Sequence, residues 1–144
     1  MKTRILAFAA AALLVMATLL AGCVREDARL LEPQAAFELI GQNRGKNDFL
    51  ILDVRTPGEF RQGYIAGAVL LDYYRPDFRE RFASLDRNTT ILTYCHSGSR
   101  SSSVLALADK LGFKRVFDLR GGIVDWKRAG LPLVRDGAAP KPPA

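Results

Sequence analysis

Thr89-Thr90-Ile91-Leu92-Thr93-Tyr94-Cys95-His96-Ser97-Gly98-Ser99-Arg100-Ser101 opens as a β-branched, apolar run and closes as a loop of small polar residues behind one cysteine. The first six residues have the composition of a strand. The loop leads directly into a helix that continues to Leu111, where Gly112 ends it. A strand that passes through a short loop into a helix is the repeating unit of parallel α/β sheets. Such sheets gather ligand sites at the carboxyl ends of their strands. Cys95 stands at that position.

The flanking sequence repeats the unit. Phe49-Leu50-Ile51-Leu52 is a continuous apolar run ending at Asp53-Val54-Arg55, the pattern of a strand covered on both faces. Thr56-Pro57-Gly58-Glu59-Phe60 turns into a short helical segment, and Gly63 to Ala68 leads to a strand at Val69-Leu70-Leu71. Residues 76–85 read as a helix. Downstream, Arg115-Val116-Phe117-Asp118-Leu119 is a further strand, and Gly121-Gly122 opens a last helix containing Trp126. Upstream, Glu32-Pro33 precedes a helix over residues 34–41, with Ala36, Phe37, Leu39 and Ile40 on its inner side. This alternation predicts one α/β domain over residues 32–135 with a central, mostly parallel sheet flanked by helices. No internal repeat is present.

Hydrophobic residues make up 49% of the chain, but its amino-terminal segment inflates that figure. Met1-Lys2-Thr3-Arg4 is basic, and in residues 5–20 only Thr18 is polar. That stretch is short for the roughly 30 Å hydrocarbon core of a bilayer, and Ala21 and Gly22 close it like a cleavage site. A signal peptide over residues 1–22 is therefore expected in preference to an uncleaved anchor. Leu20-Ala21-Gly22-Cys23 resembles the lipobox of bacterial lipoproteins. The resemblance implies that Cys23 is alkylated with diacylglycerol and becomes the new amino terminus. Each buried methylene contributes about 0.8 kcal/mol, so a multiply acylated Cys23 holds a domain on a bilayer without a spanning helix. Residues 23–31 then form a lipid-anchored spacer and residues 136–144, rich in Pro and Ala, a flexible tail. The expected location is the periplasmic face of a membrane or the cell surface. Val24 resembles the residue that follows the lipidated Cys in lipoproteins sent to the outer of two membranes.

Cleavage before Cys23 removes Lys2 and Arg4, leaving 19 basic and 15 acidic residues, so the net charge falls from +6 to +4. The basic residues are scattered. This suits small anions or anionic lipid and argues against a nucleic-acid footprint. Of the two cysteines, lipidation removes Cys23. Cys95 is left as a lone thiol in an oxidising compartment, where an inert cysteine would have to be buried.

The residues around Cys95 give that thiol a reason to react. A loop rolled around it points the backbone N–H groups of residues 96–100 inward, and the helix start adds about half a positive charge. Both favour a thiolate, the reactive form of cysteine. Gly98 permits the positive φ that a tight cradle needs. Arg100 supplies a cation, and the same cradle accepts an anionic donor. Arg55 either reaches the pocket or pairs with a carboxylate such as Glu59. His96, the only histidine, is expected to face solvent, and Asp53 to hydrogen-bond loop backbone. Trp126 and Phe117 read as core. One histidine and one available thiol cannot supply the three or four ligands of a usual metal site.

Cys95-His96-Ser97-Gly98-Ser99-Arg100-Ser101 resembles the active-site loop of single-domain rhodaneses. Asp53-Val54-Arg55-Thr56-Pro57-Gly58-Glu59-Phe60 resembles the family's early signature, Gly63-Tyr64-Ile65-Ala66-Gly67-Ala68 its next, and Gly121-Gly122 with Trp126 its last. The likeness spans residues 33–134 and departs at Tyr64 and Ala66, where the family often has His and Pro. It implies a three-layer rhodanese-like domain and a thiosulfate sulfurtransferase activity. Cys95 would carry sulfane sulfur as a persulfide from a small anionic donor to a thiol or cyanide-like acceptor. His96, Ser97, Gly98, Ser99, Arg100 and Arg55 are the expected substrate-binding residues. No metal or organic cofactor is implied, and the chain is read as a monomer. Two other readings compete. A sulfur carrier or partner-binding module would keep the loop without turnover. A Cys-based phosphatase or arsenate reductase uses a similar loop one residue longer than the four residues that separate Cys95 from Arg100 here.

Overall fold

The apolar runs at Phe49-Leu50-Ile51-Leu52 and Ile91-Leu92 have no polar face to offer solvent, so each must lie between two covering layers. The computed structural model, which describes residues 27–135, places them side by side at the centre of a five-stranded sheet. The strands are β1 (Leu30–Leu31), β2 (Phe49–Asp53), β3 (Ala68–Leu70), β4 (Thr90–Tyr94) and β5 (Val116–Leu119). They are ordered β1-β5-β4-β2-β3, and every neighbouring pair is parallel. The helices are α1 (Pro33–Gln42), α2 (Pro57–Arg61), α3 (Phe78–Ala83), α4 (Ser99–Leu111) and α5 (Gly122–Arg128). The expected signal peptide over residues 1–22, Cys23, the first part of the expected spacer and the expected tail over residues 136–144 all lie outside the described residues.

Strand alternation divides the core in two. Leu52, Val54, Ile91 and Cys95 pack with Phe78 and Phe82 of α3 and Val104, Leu105 and Ala108 of α4. Ile51, Leu92 and Tyr94 pack with Ala36 of α1, Phe60 of α2, and Ile123 and Trp126 of α5. The result is the expected three-layer α/β arrangement.

One strand was not anticipated. Leu30–Leu31, at the end of the stretch read as spacer, pairs in parallel with β5, and the Asp118 and Arg120 N–H groups donate to the Arg29 and Leu31 carbonyls. Arg29 is bonded to both Asp27 and Asp109. The folded domain therefore begins ahead of residue 32. A two-residue strand is too short to leave a periodic signal. Among the described residues, no helix is long and apolar enough to cross a membrane.

Leu52 is fully buried in a central strand. Leu52→Ala is expected to lower unfolding free energy in urea by about 2–5 kcal/mol. A loss below about 1 kcal/mol would show that this layer is not closely packed.

Candidate active site

β4 ends at Tyr94, which makes Cys95 the first residue past the strand. Gly98, at φ 100°, is the N-cap of α4 and provides no side chain to satisfy the first turn. The sulfur fills part of that role. The Gly98 N–H donates to Cys95 Sγ at 3.1 Å, and the Ser101 hydroxyl stands 3.6 Å from it. Cys95 is only 1% exposed. Burial pushes its thiol pKa up, but the Ser101 N–H and hydroxyl and the Gly98 and Ser97 N–H groups outweigh that and hold it below the ordinary value of 9.0. A buried thiol is thus tuned toward its nucleophilic form.

The orientation of those amides is fixed from outside the loop. The first N–H groups of a helix have no partner within it. In α5, Ile123 N donates to the Cys95 carbonyl at 3.0 Å, and Val124 N donates to the His96 carbonyl at 3.1 Å. The carbonyl and N–H of a trans peptide point in opposite directions. Holding the His96 carbonyl outward therefore turns the Ser97 N–H toward the sulfur. Gly121 and Gly122, at φ 67° and 60°, bring α5 close enough to do this. A Cβ at Gly122 would lie 2.6 Å from the Cys95 carbonyl oxygen and 2.7 Å from that of His96.

Against the outer side of the loop lies a polar cavity of about 470 Å³, lined by Arg55, Glu59, Tyr74, His96, Arg100 and Lys127 among others, with the exposed Ser97 and Ser99 also lining it. Cys95 itself does not line it, although its chain neighbours His96 and Ser97 do. Arg100, expected to supply a cation beside the loop, is bonded to Glu59 through two bonds of 2.7 and 2.9 Å, with the Tyr74 ring 5.5 Å away. Glu59 also accepts from the Thr56 N–H and hydroxyl in a capping box at the start of α2. The Arg100 guanidinium chiefly, with Thr56, overcomes burial and lowers the Glu59 pKa to about 2.

Arg55 pairs with a carboxylate, and the partner is Asp53, since Glu59 is taken by Arg100. Its guanidinium meets Asp53 at 2.6 Å and donates to the Gly63 and Glu59 carbonyls, and the residue is 2% exposed. Asp53 also accepts from the Arg55 backbone N–H at 2.9 Å, which matches its expected bond to loop backbone. The Arg55 side chain is built into the floor of the cavity. His96 faces solvent, with Nδ1 3.9 Å from Glu59. Trp126 is core, and Phe117 is half-buried. Tyr64, at a departure from the family pattern, stacks on Phe60 with ring centres 4.0 Å apart. Among the described residues, no three His, Cys, Asp or Glu side chains gather as a metal site would require. The buried carboxylate of Asp118 beneath the loop has no place in the sequence reading, although an acid inside the run Val116-Phe117-Asp118-Leu119 was a visible irregularity.

A parallel α/β sheet between helical layers, with an amide-wrapped cysteine at the carboxyl end of a central strand, sets the class of this protein as a three-layer α/β domain with a cysteine-centred site. Within it, this chain is a member of the rhodanese-like domain family, whose profile matches residues 37–129. It is 42% identical over 87 residues to a protein named sulfurtransferase from Allochromatium vinosum, the match covering 60% of this chain and 79% of that one. It is 40% identical over 93 residues to the chloroplastic thiosulfate sulfurtransferase 16 of Arabidopsis thaliana, covering 56% and 76%. A rhodanese-related protein of Thermoplasma volcanium superposes with a TM-score of 0.64 at 28% identity, over 75% of this chain and 99% of that one. A Rhodopseudomonas palustris protein described as a possible tyrosine phosphatase superposes with a TM-score of 0.63 at 25% identity, over 74% and 84%.

Gly122→Ala is expected to push the Cys95 loop off α5, to cost more than about 1 kcal/mol in urea unfolding, and to raise the thiol pKa. Alkylation of Cys95 by iodoacetamide against pH reads the second effect. An unchanged pH profile would mean that α5 does not hold the amides in place.

Proposed function

We propose that this protein is a sulfurtransferase in which Cys95 takes the outer sulfur of a small anionic donor such as thiosulfate and passes it to a thiol or cyanide-like acceptor. The observation that carries the reading is the Gly98 N–H 3.1 Å from Cys95 Sγ, within a loop whose neighbouring amides also lower the thiol pKa. In this scheme the Cys95 thiolate attacks the sulfane sulfur, the donor S–S bond breaks, and sulfite leaves with the electron pair. The acceptor then attacks the terminal sulfur of the persulfide, and Cys95 departs as thiolate. The amides of residues 96–100 serve both steps, because each has an anionic sulfur within the cradle. The pair Arg100–Glu59 and the floor residue Arg55 shape the entrance, with His96, Ser97 and Ser99 at its edge. The scheme uses no cofactor.

The cradle favours sulfur over phosphate. A phosphoryl group calls for a guanidinium that can grip two oxygens at once. Here Glu59 occupies both terminal nitrogens of Arg100. A carrier that loads sulfur without turning over would share the same chemistry up to the persulfide. Incubation with thiosulfate is expected to add the mass of one sulfur atom to the protein, and Cys95→Ser to abolish the gain. Thiocyanate production on adding cyanide separates an enzyme from a carrier. Absence of the adduct in the unaltered protein would defeat the sulfur reading altogether.

For location, we infer a lipoprotein anchored through Cys23 at the periplasmic face of a membrane or at the cell surface. The support is the Leu20-Ala21-Gly22-Cys23 stretch behind an apolar leader. Cys23→Ser is expected to move the protein from the membrane pellet to the soluble fraction or to leave it unprocessed at full length. A variant processed and pelleted like the parent would rule out the lipid anchor.

A further inference from the structure

A second polar cluster lies in the layer between β4, β5 and the first turn of α4. Asp118 of β5 is fully buried, and the sheet register sets it beside Thr93 of β4. Thr93 is two residues before Cys95, so the two share a sheet face. Asp118 Oδ1 and Thr93 Oγ1 are both buried without a hydrogen-bond partner among the described residues. Buried polar atoms are almost always partnered, so two orphans on adjoining strands require an account.

Two serines connect this cluster to the sulfur. Ser102 Oγ stands 3.3 Å from Asp118 Oδ2 and 2.8 Å from the Gly98 carbonyl. Ser101, fully buried, directs its hydroxyl at the Gly98 carbonyl, 3.1 Å away, and at Cys95 Sγ, 3.6 Å away. The same hydroxyl, with that of Ser102, favours the ionised form of Asp118 against its burial. A serine hydroxyl has one proton to donate. What it gives the carboxylate it withholds from the sulfur.

The nearby cations are otherwise engaged. Arg29, ahead of β1, is bonded to Asp27 and Asp109; Arg120, farther along β5, pairs with Glu32 at 2.6 Å; Arg100 of α4 pairs with Glu59. Among the described residues, Cys95 and the half-buried Tyr73 are the titratable groups in the core cluster on that face of the sheet.

We propose that Asp118 is a positioning residue for Cys95: its carboxyl, acting through the Ser101 hydroxyl, sets how strongly the cradle holds an anionic sulfur. This rests on the reading of Cys95 as the sulfur-bearing nucleophile. When Asp118 is ionised, it competes for the Ser101 proton and places a second negative charge in the layer, and both effects raise the Cys95 pKa. When Asp118 is protonated, its share of the competition ends and the hydroxyl is divided between the sulfur and the Gly98 carbonyl alone. Thr93 Oγ1 then supplies an acceptor for the carboxyl proton. Burial, against the opposing Ser101 and Ser102 hydroxyls, raises the Asp118 pKa from 3.8 to about 6, so the switch falls in a pH range a cell surface meets. Thiolate and persulfide are held hardest below that pH and released more readily above it.

The test is the rate of Cys95 alkylation by iodoacetamide against pH in the full chain, read by mass on the Cys95 peptide. A His96→Gln background removes the imidazole that adjoins Cys95 in the chain. The profile is expected to show an inflection near pH 6 in addition to the thiol's own. Asp118→Asn, which keeps the shape of the side chain without its charge, is expected to remove that inflection and lower the thiol pKa by about half a unit or more. In a Ser101→Ala background the Asp118→Asn shift is expected to shrink to less than half. A single-step profile in the His96→Gln protein overturns the proposal without any change at Asp118, so a misfolded Asp118→Asn chain does not rescue it. An unshifted thiol pKa in folded Asp118→Asn, or a full shift without the Ser101 hydroxyl, overturns it as well. Alkylation needs no sulfur donor. Failure of thiosulfate loading therefore defeats the sulfurtransferase reading alone, and failure of the pH coupling defeats this one.

Discussion

The peptide unit between His96 and Ser97 has one permitted direction, and the site depends on it. Its carbonyl is held by the Val124 N–H, so its own N–H is turned toward the sulfur of Cys95. The Ile123 N–H fixes the preceding carbonyl in the same sense. These two bonds satisfy donors that α5 would otherwise leave unmet at its start. The helix is completed by the loop and the loop is oriented by the helix. Gly122 is the point at which this mutual arrangement leaves no room, because any side chain would enter the loop backbone.

Around this cradle the charges are arranged as closed pairs. Arg55 is matched by Asp53 and Arg100 by Glu59, so neither guanidinium adds an unopposed charge to the sulfur's surroundings. The thiol is tuned mainly by dipoles at hydrogen-bond distance. Such short contacts in a buried site are much less sensitive to salt than exposed charges would be.

The sequence made much of this legible for physical reasons that differ from element to element. β2 and β4 are readable because central parallel strands must be apolar on both faces. Gly98 is readable because a loop that turns into a helix around a sulfur needs positive φ, which the structure shows at 100°. β1 escaped because two leucines between charged residues carry no period. The partners of Arg55 and Arg100 escaped for another reason: either arginine could reach Glu59 in principle, and only tertiary geometry assigns it to the one 41 positions away. Gly122 was visible as a helix opener, but its contact with the Cys95 and His96 carbonyls joins segments far apart in the chain. Asp118 announced itself as an acid within an apolar strand, and what it faces depends on sheet register.

Glu59 ties two segments together, since one carboxylate serves the backbone and hydroxyl of Thr56 and both terminal nitrogens of Arg100. It thereby staples α2 to the start of α4 across the cavity beside the Cys95 loop. An aperture braced in this way behaves as a fixed sieve, and its width follows from the reach of a single side chain. To widen it, a bidentate ion pair and the capped end of a helix would have to be unfastened together.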